Sequence, residues 1–467
     1  MARHVVIAGG GFGGFYAARS LERLLPAQSA TVTLVNDVNF MLYTPLLSGV
    51  AGATLDPRHV VVPLRSELKR TDFVIGTVTG ADPDAQTLGV KRIDGVHLDL
   101  AYDQLVIALG SVSRTLPIPG LADHALGLKS LMDATALRNQ VLTCFDIAES
   151  LEDEAARTEY LGFVFVGAGY AGVEGLAQLQ DFAAQAIELY PRCRLQGMRW
   201  VLVEAGERIM REVPESLSGF AERELRLRGM EVYTRTTLRE VSESSALLSD
   251  GEQIAARTVV WTAGVRPSAV LAKLGLPLAE DGRLLVGPTM RVEREPSQGA
   301  GSPVTSGAGA VWAIGDCAAI PDAHLRGQIY PPTAQHAIRE GRRVARNVVA
   351  TLGGGTAQPF RYRTKGVVAE LGHNKAVAIT LGIRWRGFPA WFIARTYHLL
   401  LMPGLGRKLR LLADWNVELV FGPDASSPGR LGTPTPLQPD PEPTSPPSTS
   451  LELSSNASLR FSKPISL

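Results

Sequence analysis

Apolar runs and glycine-rich turns alternate along this chain in an order that repeats. Val5-Val6-Ile7-Ala8 is an uninterrupted apolar run, as expected of a strand covered on both faces, and it opens onto Gly9-Gly10-Gly11-Phe12-Gly13-Gly14. A helical stretch from Phe15 to Leu25 and a second strand from Thr31 to Val35 complete one strand–helix–strand unit. The same order returns with the strand Leu161 to Val166, the turn Gly167-Ala168-Gly169-Tyr170-Ala171-Gly172, a helix from Val173 to about Glu188, and the strand Arg199 to Glu204. Two copies imply two nucleotide-binding modules in one α/β chain.

Other elements hang on this frame. Tyr102 to Ser111 reads as a strand ending in a glycine turn, and Pro117 to Gly120 as a crossover linker. Thr258 to Thr262 is a further strand, closed by Ala263-Gly264-Val265-Arg266-Pro267. A Gly-, Ser- and Pro-rich loop over 296–309 precedes the buried strand Ala310 to Ile314, which ends at Gly315-Asp316-Cys317. A helix starts near Thr333 and runs through Arg346, and two more helical stretches from Pro389 to Phe421 break at Pro403-Gly404. Beyond Pro423 the Pro-, Ser- and Thr-rich sequence has too little apolar surface to order itself, so a disordered tail is expected.

Length and charge narrow the picture. A chain of 467 residues holds two or three domains. Its 47 Lys plus Arg nearly cancel 46 Asp plus Glu, leaving +1, so there is no global basic field for nucleic acid and any anion binding is local. Cys144, Cys193 and Cys317 form no CxxC or CxxxxC pair, which argues against a disulfide framework, a zinc or other metal site and a redox dithiol, and fits a reducing cytoplasm. Neither a leader pattern nor an apolar run of about 18 residues suited to a membrane crossing is present.

The glycine turns carry the first chemistry. A dinucleotide fold needs glycine for the tight turn, for approach of backbone to pyrophosphate, and for packing helix on strand, with the phosphates at the helix N-terminus. Gly9, Gly11 and Gly14 meet that rule, as do Gly167, Gly169 and Gly172. At the end of the next strand a polar residue receives the adenosine ribose. In the second module this is Glu204, whose charge repels a 2′-phosphate and so favours NADH over NADPH, although Arg208 nearby leaves room for the latter. In the first module it is Asn36, followed by Asp37. Asp316, on a late buried strand, is placed to hydrogen-bond the ribityl chain of FAD.

Taken together, these residues resemble the two-dinucleotide-binding-domain flavoproteins, and within them the type II NADH dehydrogenases, which are single-subunit NADH:quinone oxidoreductases. The resemblance runs from about His4 to Phe421 and rests on Asn39 to Leu47, Gly172-Val173-Glu174, Trp261 to Pro267, Ala313 to Ala318, Pro332 to Gln335, and Ala390-Trp391 with His398-Leu399. It implies two Rossmann-like domains: an FAD domain over 1–118 and 289–388, interrupted by an NAD(P)H domain over 119–288, then amphipathic helices over 389–422 and a tail over 423–467. It also implies that Gly11, Phe12, Gly13, Asn36, Thr44, Val78, Gly110 and Asp316 contact FAD, while Gly169, Tyr170, Ala171, Glu174, Glu204 and Gly264 bind NADH. Ala334 and Gln335 would lie beside the isoalloxazine where quinone approaches, with Glu174 and Gln335 as the catalytic candidates.

Three positions depart from the family pattern: Asn36 replaces an acid, Leu109 a threonine, and Gly175 a larger apolar residue. The glycine is expected to loosen its helix by about 1 kcal/mol relative to Ala. Glu174 is expected on the first turn of the second cradle helix, where complementing the helix dipole is its alternative role.

A quinone dissolved in lipid requires a membrane-facing surface. Leu399 to Met402, then Leu405, Leu409, Leu412, Trp415 and Leu419, form an apolar stripe flanked by Arg395, Arg407, Lys408 and Arg410 and by the acids Asp414 and Glu418. The stripe suits a helix pair lying on anionic lipid at the inner face of the cell membrane, with a helix packed on its own domain or on a second subunit as the alternative, so a homodimer stays open. Two other functions stay open: a soluble NAD(P)H reductase serving an iron–sulfur protein or a small biosynthetic substrate, and a redox-sensing FAD/NADH-binding protein.

Overall fold

The computed structural model describes residues 3–293, 310–364 and 366–426. The loop expected over 296–309 and the tail from residue 427 lie outside the described residues.

The first apolar run becomes the strand Arg3–Ala8 in the middle of a seven-stranded sheet. Along the sheet the order is Ala310–Ala313, Gln104–Ile107, Arg3–Ala8, Ala30–Asn36, Thr71–Asp82, Thr87–Arg92 and His97–Ala101. The first five are parallel, and the last two are added as an antiparallel meander, each pairing antiparallel with the strand before it. The register matters for function: Ala8 and Ala313 both sit beside Ile107. Three strands therefore end together at one carboxyl edge, and Gly9, Gly110 and Asp316 emerge side by side there, where ligands bind in open α/β sheets.

The second module is a parallel five-stranded sheet ordered Ala125–Gly127, Thr258–Trp261, Gly162–Val166, Arg199–Val203, Glu231–Tyr233. The chain enters it at Ser111–Ser113 and leaves at Val265–Pro267, and these two crossings pair antiparallel, Val112 facing Arg266. The return comes ahead of the boundary expected at 288, and Leu284–Leu285 already pairs with Ala318–Ala319. A three-stranded antiparallel sheet, Gly366–Glu370, Ala376–Thr380 and Ile383–Gly387, leads into the helices Phe388–Leu401 and Leu405–Phe421.

Both cradle helices begin earlier than the apolar pattern indicates. The first is Phe12–Leu24, with Phe15 N–H donating to Gly11 C=O at 2.9 Å; the second is Tyr170–Ala186, with Val173 N–H donating to Gly169 C=O at 3.0 Å. Glycines and small residues in the turn carry no periodicity, yet they already form the first helical turn. Glu174 therefore stands on the second turn, and the dipole-capping role falls away. Gly175 also reads differently. A Cβ there would lie 2.5 Å from Leu128 Cδ2 and 3.3 Å from Phe165 Cε1, so the glycine gives the side chain of Leu128 room against the helix rather than merely loosening it.

The C-terminal stripe divides in two. Met402, Leu411 and Trp415 pack inward, while Leu405, Leu409 and Leu419 are 73%, 58% and 60% exposed. Arg395 is not a surface cation: it lies over the rings of Trp391 and Trp415, at 4.3 Å and 5.1 Å, with Glu418 3.7 Å away. Residues 423–426, expected in the tail, are held, since the Arg138 guanidinium donates to the carbonyls of Asp424 and Ser426 at 2.7 Å and 2.9 Å.

Candidate active site

The two glycine turns have the same geometry. Gly9 and Gly167 have φ of +106° and +102°, a region favouring glycine, and a Cβ would lie 2.3 Å from Ala108 C=O in the first and 2.7 Å from Ala263 N in the second. A Cβ at Gly14 would lie 1.8 Å from Gly9 C=O, and one at Gly172 the same distance from Gly167 C=O, so each helix packs backbone on backbone. Gly11 and Gly169, by contrast, face open space. That space is what a pyrophosphate needs.

The strand-end residues also correspond. Glu204 Oε2 accepts the N–H of Ala168 at 2.8 Å, and Asn36 Oδ1 accepts the N–H of Gly10 at 2.7 Å. Each fastens the second residue of its turn. Asn36 does so without charge and uses its amide to donate to Val38 C=O at 2.9 Å, a bond no carboxylate can make. The Arg208 guanidinium donates to the carbonyls of Met210, Arg211 and Val213.

A cavity of about 490 Å³ opens over the first turn. Gly9, Gly11, Phe12, Gly13, Asn36, Asp37, Thr44, Val78, Gly110, Asp316 and Ala334 all line it. Gly14 does not, because it lies beneath the turn. Three wall or support residues carried no sequence signal of their own. Ser111 donates to Asp316 Oδ2 at 2.6 Å, Lys129 reaches Ser111 Oγ at 3.1 Å and Asp316 at 4.0 Å, and Glu340 Oε2 accepts the N–H of Gly315 at 2.7 Å. Burial pushes the Glu340 carboxyl up to about 8. The cradle fits FAD in its open glycine, its ribityl-side carboxylate and its lack of Cβ atoms where phosphate must approach.

A second cavity, of about 380 Å³, adjoins the first, sharing Phe12, Thr44, Lys129, Pro332 and Ala334. Its walls bring together Tyr170, Ala171, Glu174 and Gly264 of the nucleotide module, Gln335, and Tyr397, His398 and Leu401 of the penultimate helix. Gly167, Gly169, Gly172 and Glu204 stay in their own turn and line neither cavity.

Glu174 is half-buried, and its Oε1 accepts the N–H of Glu370 at 2.9 Å. Desolvation, opposed by that hydrogen bond and helped by the Glu370 charge, pushes its carboxyl up to about 8. A carboxyl shifted in this direction holds its proton closer to neutral pH than an ordinary glutamate does. Gln335 is fixed at both ends, its Nε2 donating to Gly366 C=O at 2.9 Å and its Oε1 accepting from Tyr362 at 3.1 Å. His398, 3.3 Å from the Tyr43 hydroxyl, and His336, 2.7 Å from Thr333 Oγ1, are both lowered to about 4 by burial and are neutral. All three cysteines are free and buried, and no group of acids, histidines and cysteines among the described residues could hold a metal ion.

The sequence pattern of the pyridine nucleotide-disulphide oxidoreductase family matches residues 3–341. The demethylphylloquinone reductase NdbB of Synechocystis sp. is 31% identical, covering 88% of this chain and 97% of its own length. The type II NADH:quinone oxidoreductase Ndh of Mycobacterium tuberculosis is 29% identical, covering 90% and 88%. Among solved structures, NDH2 from Plasmodium falciparum in complex with NADH superposes with a TM-score of 0.83 over 91% of this chain and 100% of that one; at 18% identity this likeness concerns the fold.

Proposed function

The chain belongs to the pyridine nucleotide-disulphide oxidoreductase family and, within it, to the type II NADH:quinone oxidoreductases, and from that membership we propose how its own residues carry electrons from NADH to a quinone. The supporting observation is the shared wall: Phe12, Thr44, Lys129, Pro332 and Ala334 border both cavities, so a group in the first is within reach of molecules in the second.

In this reading FAD lies in the first cavity, where it supplies hydride acceptance from NADH and two-electron delivery to the quinone. Gly11, Gly13 and the helix N-terminus at Phe12 bind its pyrophosphate, Asn36 and Asp37 border its adenosine, Thr44, Val78 and Gly110 line its path, and Asp316, oriented by Ser111 and Lys129, holds its ribityl hydroxyls. NADH seats its phosphates on Gly167 to Gly172 and its ribose on Glu204, and brings its nicotinamide past Tyr170, Ala171 and Gly264. The quinone enters from the side of Gln335, Tyr397 and Leu401, and Ala334 leaves the shared wall thin. Quinone reduction consumes a proton beyond the hydride, and Glu174, protonated below about 8, holds one at the cavity wall.

The residues exposed on the last helix, Leu405, Leu409 and Leu419, with Arg407, Lys408 and Arg410 on the same helix, form a face for an anionic membrane surface. In this reading the association is peripheral, at the cytoplasmic face of the membrane; no helix among the described residues is long and apolar enough to cross one. Steady-state NADH oxidation by the FAD-loaded protein with a short-chain quinone, against ferricyanide and oxygen, tests the whole reading. Turnover with quinone is expected; turnover with ferricyanide and none with any quinone overturns it.

A further inference from the structure

The helices Phe12–Leu24 and Ala334–Leu352 touch backbone to backbone, because Gly341 has no side chain: a Cβ there would lie 2.3 Å from Gly13 C=O. Beyond that contact the helices enclose a cavity of about 510 Å³ that shares no lining residue with the two cavities of the active site. Its polar wall is Tyr16, Arg19, Ser20 and Arg23 from the first helix and Arg342 and Arg346 from the second. Spacings of three and four residues place each set on one helix face. Four arginines thereby line one concave space.

No carboxylate lines this space, and none of the four arginines makes an ion pair among the described residues. The nearest acid on the first helix, Glu22, is committed to the N–H of Arg70 and the hydroxyl of Thr71. Two of the cations are already organised, Arg342 lying over the Tyr16 ring at 5.0 Å and Arg19 over the Phe15 ring at 5.9 Å. Unpaired like charges facing one another repel, and a concave wall concentrates their field. An anion relieves both, and planar guanidinium forks match the paired oxygens of phosphate.

We propose that this cavity binds the phosphate group of an anionic ligand, with Arg19, Arg23, Arg342 and Arg346 as its cation shell and Tyr16 and Ser20 as hydroxyl donors. The assignment does not depend on which acceptor the active site serves. Two sources offer the same chemistry, a soluble phosphate compound and a phospholipid headgroup. Position favours the headgroup: Glu67, whose charge reaches Tyr16, also acts on Arg407 and would meet a side chain at Gly404 at 2.9 Å. The cavity thus neighbours the turn that presents the exposed Leu405.

The test compares the full-length, FAD-loaded protein with Arg23→Gln/Arg346→Gln and with a control pair, Arg223→Gln/Arg239→Gln, which removes the same charge from exposed positions of the second module. Binding of inorganic pyrophosphate is read by calorimetry, and binding to phosphatidylcholine vesicles with and without phosphatidylglycerol by flotation. The cavity pair is expected to bind on the order of thirty-fold more weakly, about tenfold per 1.4 kcal/mol at ~1 kcal/mol per arginine, with the control pair unchanged. Loss toward pyrophosphate identifies a soluble phosphate ligand, and loss confined to phosphatidylglycerol identifies the headgroup. Equal binding by wild type and cavity pair in both arms, no binding by wild type in either, or an equal loss in the control pair overturns the proposal.

Discussion

Glu174 and Glu370 are joined through backbone: Oε1 of the first accepts the N–H of the second at 2.9 Å, while the Glu370 carboxyl, held at 2.7 Å by Gln178 Nε2, raises the Glu174 carboxyl further through its charge. One acid on the nucleotide module is therefore positioned by a strand of the C-terminal sheet. Glu174→Gln keeps the acceptor for that N–H but carries no proton. Quinone-dependent NADH oxidation is expected to fall by about 10²-fold, the low end for a positioned acid, while the ferricyanide rate, which takes up no proton, stays near wild type. Parallel assays with the two acceptors decide it, and an equal fall in both refutes the proton-bearing role.

Buried neutral acids also set the pH dependence of stability. Glu340 rises from 4.5 to about 8 on folding, so between those values the folded state binds more protons than the unfolded one and stability drops as pH rises. Thermal melts across that window are expected to show a falling Tm that is flatter in Glu340→Gln, which keeps an acceptor for Gly315. In Glu340→Ala the unpaired N–H costs about 1–3 kcal/mol at every pH.

Asn36 separates two roles that an acid would merge. Asn36→Ala leaves the Gly10 N–H without its partner, costing about 1–3 kcal/mol, and is expected to release FAD on gel filtration. Asn36→Asp keeps that bond and loses the amide's donations to Val38 and Phe40, so its FAD retention is expected to lie between alanine and wild type.

Coenzyme choice rests on Glu204. Glu204→Ser removes the charge that opposes a 2′-phosphate, and the kcat/KM ratio of NADPH to NADH is expected to rise by about tenfold or more. An unchanged ratio would mean that the ribose does not lie on this strand end.

Replacing a helix-interior glycine with alanine ordinarily stabilises by about 1 kcal/mol. At Gly175 the added methyl would meet Leu128 Cδ2 at 2.5 Å, so Gly175→Ala is expected to destabilise by about 1–3 kcal/mol. Leu128→Ala in the same chain is expected to restore the ordinary sign, as read in a double-mutant cycle by denaturant unfolding.

Legibility followed the range of the physics. Glycine turns between apolar runs are local, so both modules were visible as motifs, and so were the residues of the first turn and Asp316 that line the first cavity. Glu340 and Lys129 were not, because they act across the fold: Lys129 is far in sequence from Asp316, and Glu340 meets Gly315 only once its helix has packed against the end of the strand Ala310–Ala313. The apolar stripe of the last helix was visible as a periodicity, but its division into inward Leu411 and Trp415 and outward Leu405 and Leu409 depends on which neighbours the helix finds. Arg395 shows the same limit, since a cation beside a stripe reads as surface until two tryptophans cover it.

The antiparallel ribbon of Ser111–Ser113 and Val265–Pro267 has a consequence for how such a chain is assembled. The inserted module begins and ends at the same place, so its two ends meet as the ends of a closed loop. A unit with coincident ends can be spliced into a host without parting the host's strands, and the seven-stranded sheet retains its order across the interruption. The ribbon is the suture of that graft, and a module from another dinucleotide-binding protein, joined at these six residues, has a ready-made place to sit.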